Sequence, residues 1–261
     1  MEPIYFRAVG SEWAKKKRSL AAGIVLAGGS FTPVVILIAR LVHYRQLPAI
    51  YRAPRFWENL WTSSWESMAI FLLPLGAILA CSLVTQLEYR NNTWKLWHTL
   101  PLPYTTVFFS KLTVILVMLA QFIALFTIGV ALAGILPWFF VTDISFPRLA
   151  VSVSAYLRQD LAYFCCCLPV VAVQYLLGLF FRNFLVPVGV GFILWVGALS
   201  VLSWPYNFWI PYSYVPLHYL SGVGNTRIAA PAVSLEALSL MWFAVLIAVG
   251  YTSYRYKPEK G

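Results

Sequence analysis

The sequence predicts an all-α, polytopic membrane protein with six transmembrane helices, and three observations carry that prediction. Hydrophobic residues make up 61% of the 261 and charged residues only 11%, where a soluble domain carries about a quarter. Mean hydropathy is +0.75. Six apolar stretches approach the ~20 residues that ~30 Å of hydrocarbon requires of a helix. No water inside a bilayer can bond a bare backbone amide, so segments of this length cross it as helices.

The chain divides in order as follows. Residues Pro3 to Ser19 place Tyr5, Val9 and Trp13 four apart, with Phe6 beside them, and end in Lys15, Lys16, Lys17 and Arg18. Such a segment makes an interfacial helix lying in the membrane plane. Basic residues ahead of an apolar run also describe a signal peptide. The run 20–41 is too long for one and has no convincing cleavage site, so it reads as an uncleaved first span. The remaining spans lie near 66–86, 107–136, 161–181, 184–204 and 233–254. Pro33, Pro74 and Pro187 inside these stretches predict kinks, and the over-long third span predicts tilt or projection. Arg182 and Asn183 alone part spans four and five, which makes a tight hairpin. No repeat, low-complexity block or long linker appears, so residues 1–261 read as one transmembrane domain.

Charge sets the orientation. The net charge of +10 admits nucleic acid as a partner, but the basic residues gather at span ends, where anionic headgroups are the counter-ion; the partner is the lipid bilayer, with no nucleic acid. With the N-terminus inside, 12 of the 19 Lys and Arg lie on the inner side and 7 outside, a bias that puts both termini in the cytoplasm. The outer side then holds three loops. His43 to Trp65 carries Trp57, Trp61 and Trp65 at intervals of four, and Pro137 to Asp160 is mixed. Pro205 to Pro231 is rich in aromatics and proline, and reads equally as a re-entrant pair packed against protein or as a belt lying flat at the interface.

The inner side holds the one long polar interruption, Gln86 to Lys111. Asn92 can cap a short helix over Thr93 to Leu100, which Pro101 and Pro103 end. Trp94, Trp97 and Leu100 fall on one side of it; Lys95, His98 and Thr99 fall on the other. A two-faced helix of this kind suits a membrane surface, with indoles at headgroup depth, or the groove of a partner.

The run Glu88, Thr93, Leu96, Leu100, Pro101 and Lys111 resembles the pattern that ABC type 2 exporter permeases carry between their second and third spans. Length and six-span plan most resemble the lantibiotic and bacitracin self-protection permeases. Asn92 stands where that family usually has Gly, and Tyr104 and Thr105 stand where a basic residue is common. The resemblance implies that this segment is a coupling helix docked on a separate ATP-binding-cassette subunit, with Glu88, Arg90, Thr93, Trp94, Lys95, Trp97, Leu100 and Pro101 making or flanking the contact. It also implies a second permease chain, identical or related, a re-entrant element between spans five and six, and a place in the cell membrane. The substrate it implies is hydrophobic or amphipathic, such as an antimicrobial peptide or drug.

Chemistry elsewhere is sparse. No G-x-x-x-x-G-K-[ST] phosphate loop occurs, so ATP hydrolysis belongs to another chain. Glu66, Asp160 and Glu236 fall at expected span beginnings, which disfavours an ion-coupled carrier; a carrier and a non-transport scaffold or sensor stand as alternatives. His43, His98 and His218 belong to separate loops, and no HExxH or acid pair occurs. The sequence therefore predicts no enzyme, no cofactor and no metal site. Cys81 and Cys165 to Cys167 lie in apolar stretches without CxxC spacing and read as small buried side chains.

Overall fold

The computed structural model describes residues 4–17, 19–90, 103–141, 144, 146, 153–225 and 234–256, with the backbone alone at 17 and 88–90. Every regular element among them is a helix. α1 (Ile4–Lys17) leads into α2 (Leu20–Val42), a single turn at Tyr44–Gln46 and α3 (Leu47–Tyr51). α4 (Phe56–Ser67) runs through a π-turn at Met68–Leu72 into α5 (Leu73–Arg90). Then follow α6 (Tyr104–Ile135), α7 (Pro137–Phe140), α8 (Val153–Phe180), α9 (Leu185–Ser200), α10 (Tyr214–Gly222) and α11 (Leu235–Arg255).

Five stretches are long and apolar enough to cross a membrane: Leu20–Val42, Phe56–Leu87, Tyr104–Phe140, Val153–Phe180 and Leu235–Arg255. The predicted span at 184–204 is instead the 16-residue α9, ~24 Å long and shorter than the hydrocarbon layer. α6, at 32 residues, is ~48 Å long and bears out the expected excess.

Side-chain contacts fix the direction of each helix. α5 and α8 run parallel, because Ser82 meets Gln174, Thr85 meets Gly178 and Gln86 meets Phe181. α2 and α6 are parallel too, with Gly29 on Phe122, Pro33 on Gly129 and Arg40 on Ala133. α6 and α8 oppose each other: Thr127 bonds Asp160, and Tyr175 bonds the Phe108 carbonyl. α9 opposes α5, with Gly191 against Ile78 and Trp195 against Ile70. The helices thus alternate. One end of the bundle gathers the C-terminal ends of α5 and α11, the start of α6 and the 181–184 turn; the other gathers α3, α7 and the segment after α9.

Local chemistry explains the boundaries. Ser234 caps α11 by accepting from the Ala237 amide at 3.3 Å, with Glu236 in the first turn and Arg255 in the last, as the helix dipole favours. The end of α6 leaves carbonyls without helical partners, and the Arg40 guanidinium donates to Ala133 at 3.0 Å while the Tyr51 hydroxyl donates to Gly134 at 2.6 Å. Burial raises the Tyr51 pKa, opposed in part by the charge of Arg40, so Tyr51 stays a donor. Pro74 cannot supply an N–H to Ile70; that carbonyl accepts instead from the Trp195 indole at 3.1 Å.

Several expectations change. Pro187 sits in the first turn of α9, where a missing N–H costs nothing, so it starts the helix rather than bending its middle. His43 to Trp65 is mostly helix, and Trp57, Trp61 and Trp65 are 7%, 6% and 0% exposed. Their spacing of four is the stripe of a buried helix face. Trp65 stacks on Tyr163 with centroids 3.6 Å apart, Trp61 lies 4.2 Å from Tyr156, and its indole donates to Gln159 at 2.7 Å. Asp160 lies two turns into α8 rather than at its start, and Glu66 lies near the end of α4.

Gly178 has no room for a side chain, since a Cβ there would overlap Thr85 Oγ1 and stand 2.7 Å from Thr85 Cβ. Gly178→Ala should destabilise the protein by about 1–3 kcal/mol through overpacking, read as a lowered thermal midpoint in detergent. Adding Thr85→Ala should restore much of the loss; an undisturbed midpoint in the single variant would refute this contact.

Candidate coupling site

α5 ends at Arg90 and α6 begins at Tyr104, at the same end of the bundle because the two helices run in opposite directions. Of the predicted coupling residues, Thr93, Trp94, Lys95, Trp97, Leu100 and Pro101 lie outside the described residues, as do the side chains of Glu88 and Arg90 in the last turn of α5. The mounting of this segment is on view.

Its C-terminal root is the first two turns of α6, held by an aromatic cluster. Thr105 Oγ1 lies 2.7 Å from the Tyr251 hydroxyl, and the Tyr104 ring meets Tyr254 edge-on. Phe108 packs against Tyr175, Tyr251 and Tyr254 with centroids 5.1 to 5.7 Å apart, and its carbonyl accepts from Tyr175 at 2.8 Å. Tyr104 and Thr105, which replace a basic residue of the resembled pattern, thus tie α6 to α11. Lys111 is 2% exposed, buried well inside α6 rather than opening it. At the N-terminal root, Gln86 donates to the Phe181 carbonyl at 2.7 Å, which satisfies backbone just past the end of α8.

α1 joins the same end. Tyr5 lies 2.6 Å from Thr113 Oγ1 and donates to the Phe109 carbonyl at 3.4 Å, and Lys16 donates to Gln121 Oε1 at 2.8 Å. The helix therefore lies along α6. Val9 and Trp13, whose spacing predicts an interfacial face, are partly buried against the core, and Ala8, Glu12 and Lys16, also four apart, are the buried stripe. Glu12 pairs with Lys15, and Lys16 lies 4.0 Å over the Trp13 ring. Burial lowers the Lys16 pKa from the ordinary lysine value. Lys16, expected on an interfacial helix, is buried and reaches Gln121 of α6; Arg18 and the side chain of Lys17 lie outside the described residues. The second stripe was visible in the sequence but masked by the aromatic one.

At the opposite end the chain leaving α9 turns back into the bundle. Short turns at Asn207–Trp209 and Pro211–Ser213 lead into α10. Tyr212, Tyr214, Val215 and Leu217 are at most 3% exposed. Tyr212 accepts from the amide of Gln174 at 2.7 Å, and a Cβ at Gly191 would overlap the same amide. Gly191 lies nine residues before the end of α9, so the returning chain reaches back past that end. His218 on α10 lies 3.4 Å from Glu236 and edge-on to Tyr163. The segment is folded into protein rather than spread flat. Gln174, its anchor, escaped notice in the sequence because a lone Gln in an apolar run has no distinguishing spacing.

Residues 8–198 match the family described as ABC-2 family transporter protein. The chain belongs to the ABC-2 transporter family. No curated protein matches it. As an ABC-2 protein it is the membrane component of an ABC transporter and not itself an ATPase. The matched region contains α2 through almost all of α9, and both roots of the 91–102 segment fall within it.

Gln174→Leu and Tyr212→Phe should each cost about 1 kcal/mol. Because both remove the shared Gln174–Tyr212 hydrogen bond, the double variant should lose clearly less than the two single losses together. Thermal unfolding of the four proteins measures this; full additivity would refute the coupling.

Proposed function

We propose that this ABC-2 protein is the membrane subunit of an exporter driven by a separate ATP-binding-cassette subunit. The observation that carries the reading is the family match across α5, the 91–102 segment and α6. Closure of the ATP-binding subunits draws the segment inward. Its roots pass the movement to α6 and, through Phe108, Tyr175, Tyr251 and Tyr254, to α8 and α11. Trp94, Trp97 and Leu100 supply the apolar surface that fits the motor's groove, with Glu88, Arg90, Thr93, Lys95 and Pro101 at its edges. Two membrane chains, identical or related, complete the path. The bundle end that carries this segment faces the cytoplasm of the cell membrane, and both chain ends lie on that side.

The substrate in this reading is hydrophobic or amphipathic, in the manner of an antimicrobial peptide. Trp57, Trp61 and Trp65 are buried and take no part in meeting it. Trp204, Tyr206 and Trp209, at 49%, 56% and 59% exposed on the opposite end, offer an aromatic surface for that contact, and Phe139 and Phe140 of α7 are exposed at that end as well.

Trp97→Asp should leave insertion and expression intact while the variant loses most ATP-driven transport in vesicles containing both subunits. Co-purification with the ATP-binding subunit should fall in parallel. Undiminished transport would remove Trp97 from the contact, and transport that persists without any ATP-binding subunit would overturn the reading.

A further inference from the structure

A cleft of about 430 Å³ opens between α1, α2 and α6. Its walls are apolar, with Ala22, Val25 and Leu26 on one side and Leu125 and Ile128 on the other. Leu26 and Ile128 are 58% and 59% exposed on the outer surface of the bundle, where acyl chains are the solvent. Trp13, Lys16 and Gln121 complete the lining.

Lys16 makes this cleft unusual. Its side chain is 6% exposed, yet among the described residues no carboxylate lies within 4 Å of it. Its ammonium has three N–H donors; one reaches Gln121, and the Trp13 ring offers only its π face. A buried cation with no carboxylate in contact among the described residues is costly, and burial already disfavours its charged form. By contrast, neighbouring Lys15 is paired with Glu12. An anion attached to an apolar tail would complement both the ammonium and these walls.

We propose that the cleft binds one anionic phospholipid, its phosphate on the Lys16 ammonium and an acyl chain along Ala22, Val25, Leu26, Leu125 and Ile128. The lipid completes the contact between α1 and the bundle: the acyl chain bridges α2 and α6, and the headgroup fixes the last turn of α1. Charge complementarity selects phosphatidylglycerol over phosphatidylcholine, whose choline would sit beside the ammonium.

The test is native mass spectrometry of the purified full chain, delipidated and titrated with phosphatidylglycerol or phosphatidylcholine. The parent protein should retain one phosphatidylglycerol with a clear preference over phosphatidylcholine. Lys16→Gln, which keeps length and the reach to Gln121, should cut that preference by about fivefold or more. Lys15→Gln should leave it unchanged. Ala22→Phe, which fills the cleft but spares Lys16, should reduce retention of both lipids, with size-exclusion profiles reporting that the variants remain folded. Equal retention of the two lipids by the parent protein would overturn the proposal. Equal losses in the Lys15 and Lys16 variants would overturn it too, since that outcome describes diffuse surface attraction. So would a tightly held non-lipid molecule that phosphatidylglycerol fails to displace, because the cleft would then be a substrate site.

Discussion

The parallel seam between α5 and α8 is the contact on which the rest of the bundle depends. In a bilayer, lipid tails are as apolar as leucine, so helices are held by close packing at small residues and by polar side chains that find each other. Here Ser82 faces Gln174, Thr85 fills the space beside Gly178, and Gln86 reaches the Phe181 carbonyl. Other elements attach to the same turns of α8, around its circumference. Gly191 of α9 and Tyr212 of the returning segment both touch Gln174, Leu176 packs into the space at Gly250 of α11, and Tyr175 holds the start of α6. Five elements, α5, α6, α9, the returning segment and α11, are thereby referred to residues 174–181 of the chain.

That arrangement has a mechanical consequence at the coupling end. α6 leaves the 91–102 segment and is at once bound by hydroxyl and ring contacts to α8 and α11, with α1 docked along its flank. A pull on this root therefore moves several helices together. At the far end the aromatic stripe of α4 locks on Phe126, Tyr156 and Tyr163, and Arg40 and Tyr51 hold the end of α6. The returning segment is joined to this frame through Gln174 deep in the bundle and through the His218 and Glu236 pair near its rim.

Composition and the length of apolar runs made the helical membrane fold legible, because bilayer thickness constrains both. Tight turns were legible as well: Arg182 and Asn183 stand in the four-residue link between α8 and α9, where Asn183 Oδ1 accepts from the Leu185 amide. Tryptophans at intervals of four were harder to place, since a buried helix face and an interfacial belt select the same residues; only packing against Phe126 and Tyr163 separates them. Buried polar anchors were not legible. Gln174 and Lys16 are single polar residues whose partners, Tyr212 and Gln121, lie on distant parts of the chain, and no local pattern announces a long-range hydrogen bond. The segment around Trp94 and Trp97 read as a two-faced helix from its spacing alone, while the coupling role came only through resemblance.

The central functional claim is that the 91–102 segment opens toward the cytoplasm and is gripped there by a separate motor. Side-specific labelling tests it most directly, with a single cysteine at position 97 or 206 and membrane-impermeant maleimide applied to right-side-out and inverted vesicles. Position 97 should react only in inverted vesicles and become protected when the ATP-binding subunit is present, while position 206 reacts only from the outside. Labelling of position 97 in right-side-out vesicles would contradict the account.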